Sequence, residues 1–201
     1  EDGENKQAVV KIPDELKWVD SSTNRYLLEN SLHYRYQSTD VEKVIFENNH
    51  PITEQYKDGI LPIIDLDRIP VKIYKAGSST YLLPVLHQSI GQFSEALEEM
   101  KVDEEAFYIY HSIPKDARIQ LEEQNRQHIH VDITSSIIGQ NQETVTMVEA
   151  VIATAHLFGY AEITLDIGLD SLGKYVFDKP ISTDKTLNFI ANERIHTNSQ
   201  R

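Results

Sequence analysis

The feature that most constrains the fold is an internal repeat, because the second half of the chain repeats the hydrophobic pattern of the first. When residues 9–12 are placed on residues 128–131, at an offset of 119, the pattern stays aligned as far as residues 44–46 and 163–165. Each copy holds an extended segment, a segment with helical spacing and a second extended segment. Self-similarity at a fixed period is typical of one structural unit used twice. We therefore predict a strand, a helix and a strand that recur in the same register.

The two copies differ in what precedes them. Residues 71–127 stand in front of the second copy, whereas only a few residues stand in front of the first. The sequence also begins with a glutamate, and we expect it to be part of a longer protein that starts inside a unit. We predict a first, incomplete unit with its linker at 1–66, a nearly complete unit at 67–180 and a C-terminal tail at 181–201. Three apolar residues of the tail are expected to dock: Leu187, Phe189 and Ile190.

Strands and helices alternate with short connections in both units. Apolar spacings of two residues and of about 3.6 residues distinguish strands from helices. They predict strands at 8–13, 41–47, 71–75, 80–85, 118–121, 128–133, 160–167 and 174–177, and helices at about 22–37, 89–100 and 143–158. This order predicts an α+β fold of small mixed sheets with helices packed on one face, built as tandem units. Because half of such a unit exposes a helix face and a sheet edge, we expect residues 8–47 to pack onto the second unit or onto another copy of the chain.

Composition excludes several functions. The chain carries 32 Asp and Glu against 19 Lys and Arg, and its net charge of −13 argues against a nucleic-acid partner, since phosphates favour basic surfaces. It contains no cysteine, which excludes disulfides, thiolate catalysis and cysteine metal sites. No apolar run reaches the roughly 18 residues that a membrane-spanning helix requires. The composition does not exclude protein partners or small ligands.

A His-x-His pair is the strongest candidate for chemistry. His128 and His130 lie two residues apart on a predicted strand, so both imidazoles point to one face and could share a metal. A nickase that uses such a pair would also need a basic surface, which the net charge does not provide. At the offset of 119 the first copy has Val9 and Lys11 at these positions. We therefore expect a polar strand face rather than a metal site.

Two groups of acidic residues are expected to be structural. Asp65 and Asp67 could bind a cation, but calcium requires about six to eight oxygen ligands and no spaced loop supplies them. We interpret this pair as part of the linker. The acidic residues at 98–99 and 103–105 indicate a solvated face, and docking of a basic partner is the alternative.

Nucleophilic catalysis is not expected either. Ser78 and Ser79 lack the sharp turn motif of an activated serine, and no motif ties them to His87 or His111. We predict no catalytic, cofactor-binding or metal-binding residue.

A cluster of aromatic residues has two interpretations. Phe107, Tyr108 and Tyr110 surround Ile109 in an otherwise irregular stretch. They could form a buried edge strand or an exposed contact strip. We expect them to belong to the core.

Residues 71–177 resemble a GerM (GermaneN) domain. The segments that carry the resemblance are Val-Lys-Ile-Tyr at 71–74, Tyr-Leu-Leu-Pro-Val at 81–85, Ala-Leu-Glu-Glu-Met at 96–100, Ser-Ile-Pro-Lys-Asp-Ala-Arg-Ile at 112–119, His-Val-Asp-Ile-Thr-Ser-Ser-Ile-Ile-Gly at 130–139 and Tyr-Ala-Glu-Ile-Thr-Leu-Asp-Ile at 160–167. Their order is that of the family. One departure is at 101–104, where Lys-Val-Asp-Glu replaces the usual Gly-Pro after the first helix. The resemblance covers about half of the chain, and residues 8–47 resemble the back half of a second such domain.

The resemblance implies a non-catalytic interaction region without a cofactor. Residues 147–160 and 173–181 are similar to the end of the outer region of membrane-anchored anti-sigma factors of the sigma-X negative effector type. This implies an extracytoplasmic module whose sigma factor binds a cytoplasmic segment absent from this chain, with a regulatory protease or a second copy as further partners. A GerM-type sporulation or germination lipoprotein, acting in an assembly between membranes, is the alternative within the family. A metal-dependent enzyme built on His-x-His is the alternative from another class.

Overall fold

The chain folds into two α+β units that pack against each other. The computed structural model describes residues 6–13, 21–36, 39–47, 50–64, 66–76, 79–86 and 90–184. Small mixed sheets and helices make up both units, so the fold class predicted from the sequence is confirmed.

The first unit is a three-stranded sheet with one helix. Its elements are β1 (Gln7–Val10), α1 (Ser22–Tyr36), β2 (Lys43–Phe46) and β3 (Ile60–Pro62). The strand order is β1-β2-β3, with β2 parallel to β1 and antiparallel to β3. At the start of α1 the Ser21 Oγ accepts a hydrogen bond from the Asn24 N–H at 3.2 Å, the bond typical of an N-cap serine.

The second unit has two sheets with a long helix between them. Its elements are β4 (Val71–Ala76), β5 (Ser79–Pro84), α2 (Phe93–Glu99), β6 (Ile109–Tyr110), β7 (Arg118–Asn125), β8 (His128–Thr134), α3 (Gln142–Leu157), β9 (Glu162–Asp166), β10 (Ser171–Leu172), β11 (Tyr175–Val176) and β12 (Ile181–Ser182). One sheet has the antiparallel order β5-β4-β6. The other has the order β12-β9-β8-β7, in which β8 and β9 are parallel. Strands β10 and β11 form a separate hairpin.

The repeat is present as a parallel strand-helix-strand crossing that occurs twice, as β1-α1-β2 and β8-α3-β9. Its register is not constant, however. Ala8 pairs with Val44 and Ile129 pairs with Ile163, which makes Ala8 equivalent to Ile129 at an offset of 121 rather than 119. The second strands are kept here at the predicted offset of 119, which places buried Val44 on buried Ile163, so the difference of two residues in stagger falls on β1. The prediction of one register is therefore wrong by two residues for β1, and the hydrophobic pattern conceals this because an even step keeps each side chain on the same face.

Helix α3 is the centre of the second unit. It lies between the β4–β5 hairpin and β9, and it also contacts α2. The Asn141 side chain at its start accepts a hydrogen bond from the Thr144 N–H at 2.8 Å. Gly159, with φ of 83°, ends the helix in the left-handed conformation that favours glycine. Small and β-branched side chains let both sheets approach the helix; those with no exposed surface are Val148, Ala150, Val151, Ala153, Thr154 and Ala155.

Several element boundaries differ from the prediction. Helix α2 begins at Phe93 rather than at residue 89, because Gln92 caps it and its N–H donates to the Glu95 carboxylate at 3.3 Å. Strand β7 continues through residues 122–125, whose polar side chains suit an exposed edge. The chain does not leave the fold at residue 180, since β12 pairs with β9. The predicted docking residues of the tail lie outside the described residues: Leu187, Phe189 and Ile190.

Helix α1 belongs to two hydrophobic cores at once. Leu28 and Leu32 pack in the core of the first unit. Leu27 and Tyr34 instead join the core of the second unit, and the Tyr26 ring lies 6.4 Å from that of Tyr74 on β4. The prediction that residues 8–47 pack onto the second unit is therefore confirmed.

A substitution in the first core tests this shared helix. Leu32→Ala removes a buried side chain and should lower the free energy of unfolding by about 2–5 kcal/mol. Because α1 couples the two cores, calorimetry of the variant should still show one transition, at a lower temperature than in the wild type. Two separate transitions, of which only the earlier one shifts, would show that the units unfold independently.

Candidate interaction surface

Exposed aromatic side chains on one loop of the second unit form the candidate site. We call residues 103–111, between α2 and β7, the aromatic loop. Phe107 and Tyr108 at its tip are 61% and 53% exposed, whereas the neighbouring Ile109 is 3% exposed and belongs to the core. The expectation that these aromatic residues lie in the core is therefore wrong for Phe107 and Tyr108. A run of aromatic residues in a sequence does not show which side chains face the core.

The backbone of Tyr108 determines the direction of the tip. Its φ of 58° and ψ of 27° are in the left-handed region, which is uncommon for a residue other than glycine. This residue ends the 3-10 turn at Glu105–Phe107, and its carbonyl accepts a hydrogen bond from the Lys75 N–H at 3.0 Å. Lys75 Nζ also lies 4.2 Å from the ring centre of Tyr110, a favourable cation–π distance. The turn therefore directs Ile109 inward and its two predecessors outward.

A buried lysine anchors the base of the loop. Lys72 of β4 has no exposed surface, and its ammonium lies 2.8 Å from Glu104 Oε1 and 3.2 Å from Glu99 Oε1. Glu104 also closes the loop through its backbone, because its N–H donates to the Ile109 carbonyl at 2.8 Å and its carbonyl accepts from the Ile109 N–H at 3.3 Å. A buried ammonium is stable only with such charged partners.

Asp103 clamps the two ends of the loop together. Its Oδ1 accepts a hydrogen bond from the His111 N–H at 2.8 Å and lies 2.7 Å from His111 Nδ1. Its Oδ2 accepts from Lys115 Nζ at 2.5 Å. Desolvation raises the pKa of Asp103, but the hydrogen bonds from Lys115 and His111 outweigh it and hold that pKa well below its usual range. His111 therefore positions the loop, a role that no sequence motif indicates.

The acidic stretch around the loop is only partly the solvated face that the sequence predicts. Glu98 and Glu105 are exposed. In contrast, Glu99, Asp103 and Glu104 hold the cations described above, so the prediction of a purely solvated face is wrong for these three.

The two histidines of the His-x-His pair lie on the outer face of β8. His128 Nε2 is hydrogen bonded to Thr164 Oγ1 at 2.8 Å. Among the residues that the structure describes, no three His, Cys, Asp or Glu side chains are grouped closely enough to hold a metal ion. With the corrected offset, His128 and His130 are equivalent to Gln7 and Val9 rather than to Val9 and Lys11.

The other sequence candidates do not converge on a site. Asp65, Ser78 and His87 lie outside the described residues. Asp67 is an exposed residue 4.0 Å from Arg68 Nε, a surface ion pair of small energetic effect. Arg68 also lines a solvent-exposed groove of about 470 Å³, whose other main lining residues are Gln92, Phe93, Glu123, Phe158 and Tyr160. None of the helices in the described ranges has the length and apolar character required to cross a membrane.

Comparison with known proteins finds three similar chains among the solved structures, two of which are described below. No protein-family model matches the chain, and no curated protein matches it significantly. The chain is similar to the tandem GerMN domains of the sporulation protein GerM from Bacillus subtilis, with 16% identity and a TM-score of 0.48 over 88% of this chain and 73% of that one. It is also similar to a candidate lipoprotein from Clostridium perfringens, with 15% identity and a TM-score of 0.37 over 56% of this chain and 85% of that one.

The contacts of Asp103 with His111 and Lys115, which we call the clamp, predict how the stability of the protein depends on pH. Asp103→Asn removes the charge that holds Lys115 and His111 and should lower the free energy of unfolding by about 1–3 kcal/mol at pH 7. Because the pKa of Asp103 is depressed by folding, its stabilisation is complete above the unfolded value near 4 and is lost as pH falls toward the folded value. Urea titrations at pH 7 and at about pH 3 should therefore show a smaller difference from wild type at the lower pH. Exposed Asp67→Asn is the control, and a difference that grows on acidification would contradict the clamp.

A metal assay tests the enzyme alternative. We expect purified protein to contain much less than one equivalent of transition metal, and His130→Ala to leave the melting temperature unchanged with or without added zinc. Stoichiometric metal that is lost in His130→Ala would establish a site on β8.

Proposed function

We propose that this chain is an extracytoplasmic interaction module of the GerM type, and that it forms the outer, regulatory region of a membrane-anchored anti-sigma factor for an ECF sigma factor. The GerM-like motifs at 71–85, 112–119 and 130–139 support the family. The exposure of Phe107 and Tyr108 on an anchored loop is the observation that carries the contact role.

An anchored aromatic tip suits protein recognition. Burying a side chain as large as Phe107 contributes roughly 1.5–3 kcal/mol, and aromatic anchors are enriched at the centres of protein interfaces. Because Lys72 and Asp103 already order the loop, a partner that binds it loses less conformational entropy on association. Exposed Glu105 borders the tip, so the complementary surface is an apolar pocket with a basic rim.

The regulatory mechanism is contact rather than chemistry. A sigma factor binds a cytoplasmic segment that is not in this chain, and the outer module controls whether that segment stays attached to the membrane. A partner seated on the aromatic loop keeps the anti-sigma factor intact, and loss of that partner exposes the protein to a regulatory protease.

A sporulation or germination lipoprotein is the second candidate. The strand-helix-strand unit occurs twice in this chain. This favours the second candidate, since the arrangement resembles the tandem GerM units of that group of proteins. In this case the same loop would contact another component of an assembly between membranes.

Transcript measurements in the organism that carries the gene distinguish the two. Deleting the gene should raise the transcripts of one ECF sigma regulon and leave spore yield and germination unchanged. Unchanged transcripts combined with a sporulation or germination defect would contradict the anti-sigma role and support the lipoprotein.

The aromatic tip is tested in the same cells. The chromosomal double substitution Phe107→Ala and Tyr108→Ala should raise the same transcripts to a level between wild type and deletion, at equal protein abundance. Val176→Ala, at an apolar residue of β11 that is also exposed, is the matched control and should behave as wild type. If the double substitution and Val176→Ala changed the transcripts equally, or if neither changed them, the aromatic tip would have no part in the mechanism.

A further inference from the structure

The groove beside Arg68 has an aromatic floor. Its volume of about 470 Å³ is in the range of small-molecule binding sites. The Phe93 ring, at the start of α2, contacts the rings of Phe158 and Tyr160, with 5.4 Å between its centre and each of theirs. Phe93 is buried, whereas the two rings that flank it are only partly covered. The floor therefore offers apolar surface to a ligand.

The guanidinium of Arg68 lies beside the Phe158 side of this floor. The Arg68 N–H donates to the Leu157 carbonyl at 2.9 Å, which fixes its backbone next to Phe158. Its Nη1 donates to the Gly91 carbonyl at 3.4 Å and its Nε lies 4.0 Å from Asp67, so both contacts of the side chain are long. Most of the five N–H donors of this exposed guanidinium therefore have no partner in the described part of the chain.

The carboxylate of Glu123 lies beside the Tyr160 side of the floor. Glu123 stands on β7 opposite the core residue Ile129, so both side chains are on the inner face of the sheet. Burial, and after it the charge of Glu123, raises the pKa of Tyr160, which agrees with a carboxylate close to that hydroxyl. Within the described residues Glu123 forms no ion pair with Arg68 or with any other cation.

We propose that this groove binds a short peptide of two or three residues with free ends, whose carboxylate pairs with Arg68, whose ammonium pairs with Glu123 and whose apolar side chain lies on the aromatic floor. A guanidinium matches a carboxylate with two parallel hydrogen bonds. A peptide of this length spans roughly 7–11 Å when extended. That span suits two charges that stand beside different rings, with spacings of 5.4 Å from ring to ring.

Ligands of other charge fit the groove less well. An anion would meet the carboxylate of Glu123 and the field of a chain whose net charge is −13. A cation would meet Arg68, and a neutral ligand would leave both charges without a partner of opposite sign. A ligand that carries one charge of each sign complements both ends of the site.

The tripeptide Ala-Phe-Ala with free termini is the probe. When it is titrated into the full chain labelled with nitrogen-15, we expect saturable chemical-shift changes at the amides of Gly91, Phe158 and Tyr160. The same peptide with an amidated C-terminus loses the carboxylate for Arg68, and the peptide with an acetylated N-terminus loses the ammonium for Glu123. Each blocked form should bind at least about fivefold more weakly than the free peptide.

Substitutions at the two charges assign the ends of the peptide. Arg68→Gln should weaken the free peptide by at least about fivefold and leave the affinity of the amidated peptide unchanged, because that peptide already lacks the interaction. Glu123→Gln should behave in the same way toward the acetylated peptide. Glu122→Gln is the matched control and should bind as wild type, since the neighbouring residue on β7 points to the opposite face of the sheet.

Four results would overturn the proposal. The first is no saturable binding of the free peptide at about 1 mM, and the second is equal affinity for the free and the blocked peptides. The third is a set of shift changes confined to the aromatic loop. The fourth is nuclear Overhauser contacts between residues 185–190 and the groove in the protein without peptide, which would identify the chain's own C-terminal segment as the occupant. None of these results depends on the anti-sigma role, so the two proposals can fail separately.

Discussion

The buried ammonium of Lys72 is the interaction on which the candidate surface depends. A charge without exposed surface requires partners, and Glu104 and Glu99 supply them from the loop and from the end of α2. Lys72 is held in place by its neighbour Val71, whose N–H donates to Thr154 Oγ1 of α3 at 3.0 Å. A continuous set of contacts therefore runs from the central helix through β4 to the aromatic loop. The exposed tip is consequently a fixed surface of the folded core.

The repeated strand-helix-strand unit accounts for the architecture of the chain but not for the contacts that each copy makes. The two crossings keep the same faces toward their cores even though β1 is shifted by two residues relative to β8. What differs is the covering of each unit. The second crossing has β7 and β12 beside it and a second sheet against its helix, whereas the first shares its helix with its neighbour, and in the described residues its β1 pairs only with β2.

The elements with strong periodicity were predictable, and the site was not. Helix α3 and strands β8 and β9 follow from apolar spacing, and Gly159 from its position after the last apolar turn. The three-residue strand β3 is too short to show alternation. The partners of Lys72 lie 27 and 32 residues further along the chain, so no local pattern reveals that it is buried. The outward direction of Phe107 and Tyr108 likewise depends on a left-handed residue that propensity does not predict.

Buried charge holds the aromatic tip in place before any partner binds. Hydrogen exchange of the Ile109 and Tyr110 amides in wild type and in Lys72→Met tests it most directly, with the amides of β8 and β9 as the internal reference. We expect slow exchange at both amides in the wild type, much faster exchange in Lys72→Met, and unchanged exchange in the reference strands. Fast exchange at Ile109 and Tyr110 in both proteins would contradict a preformed contact surface.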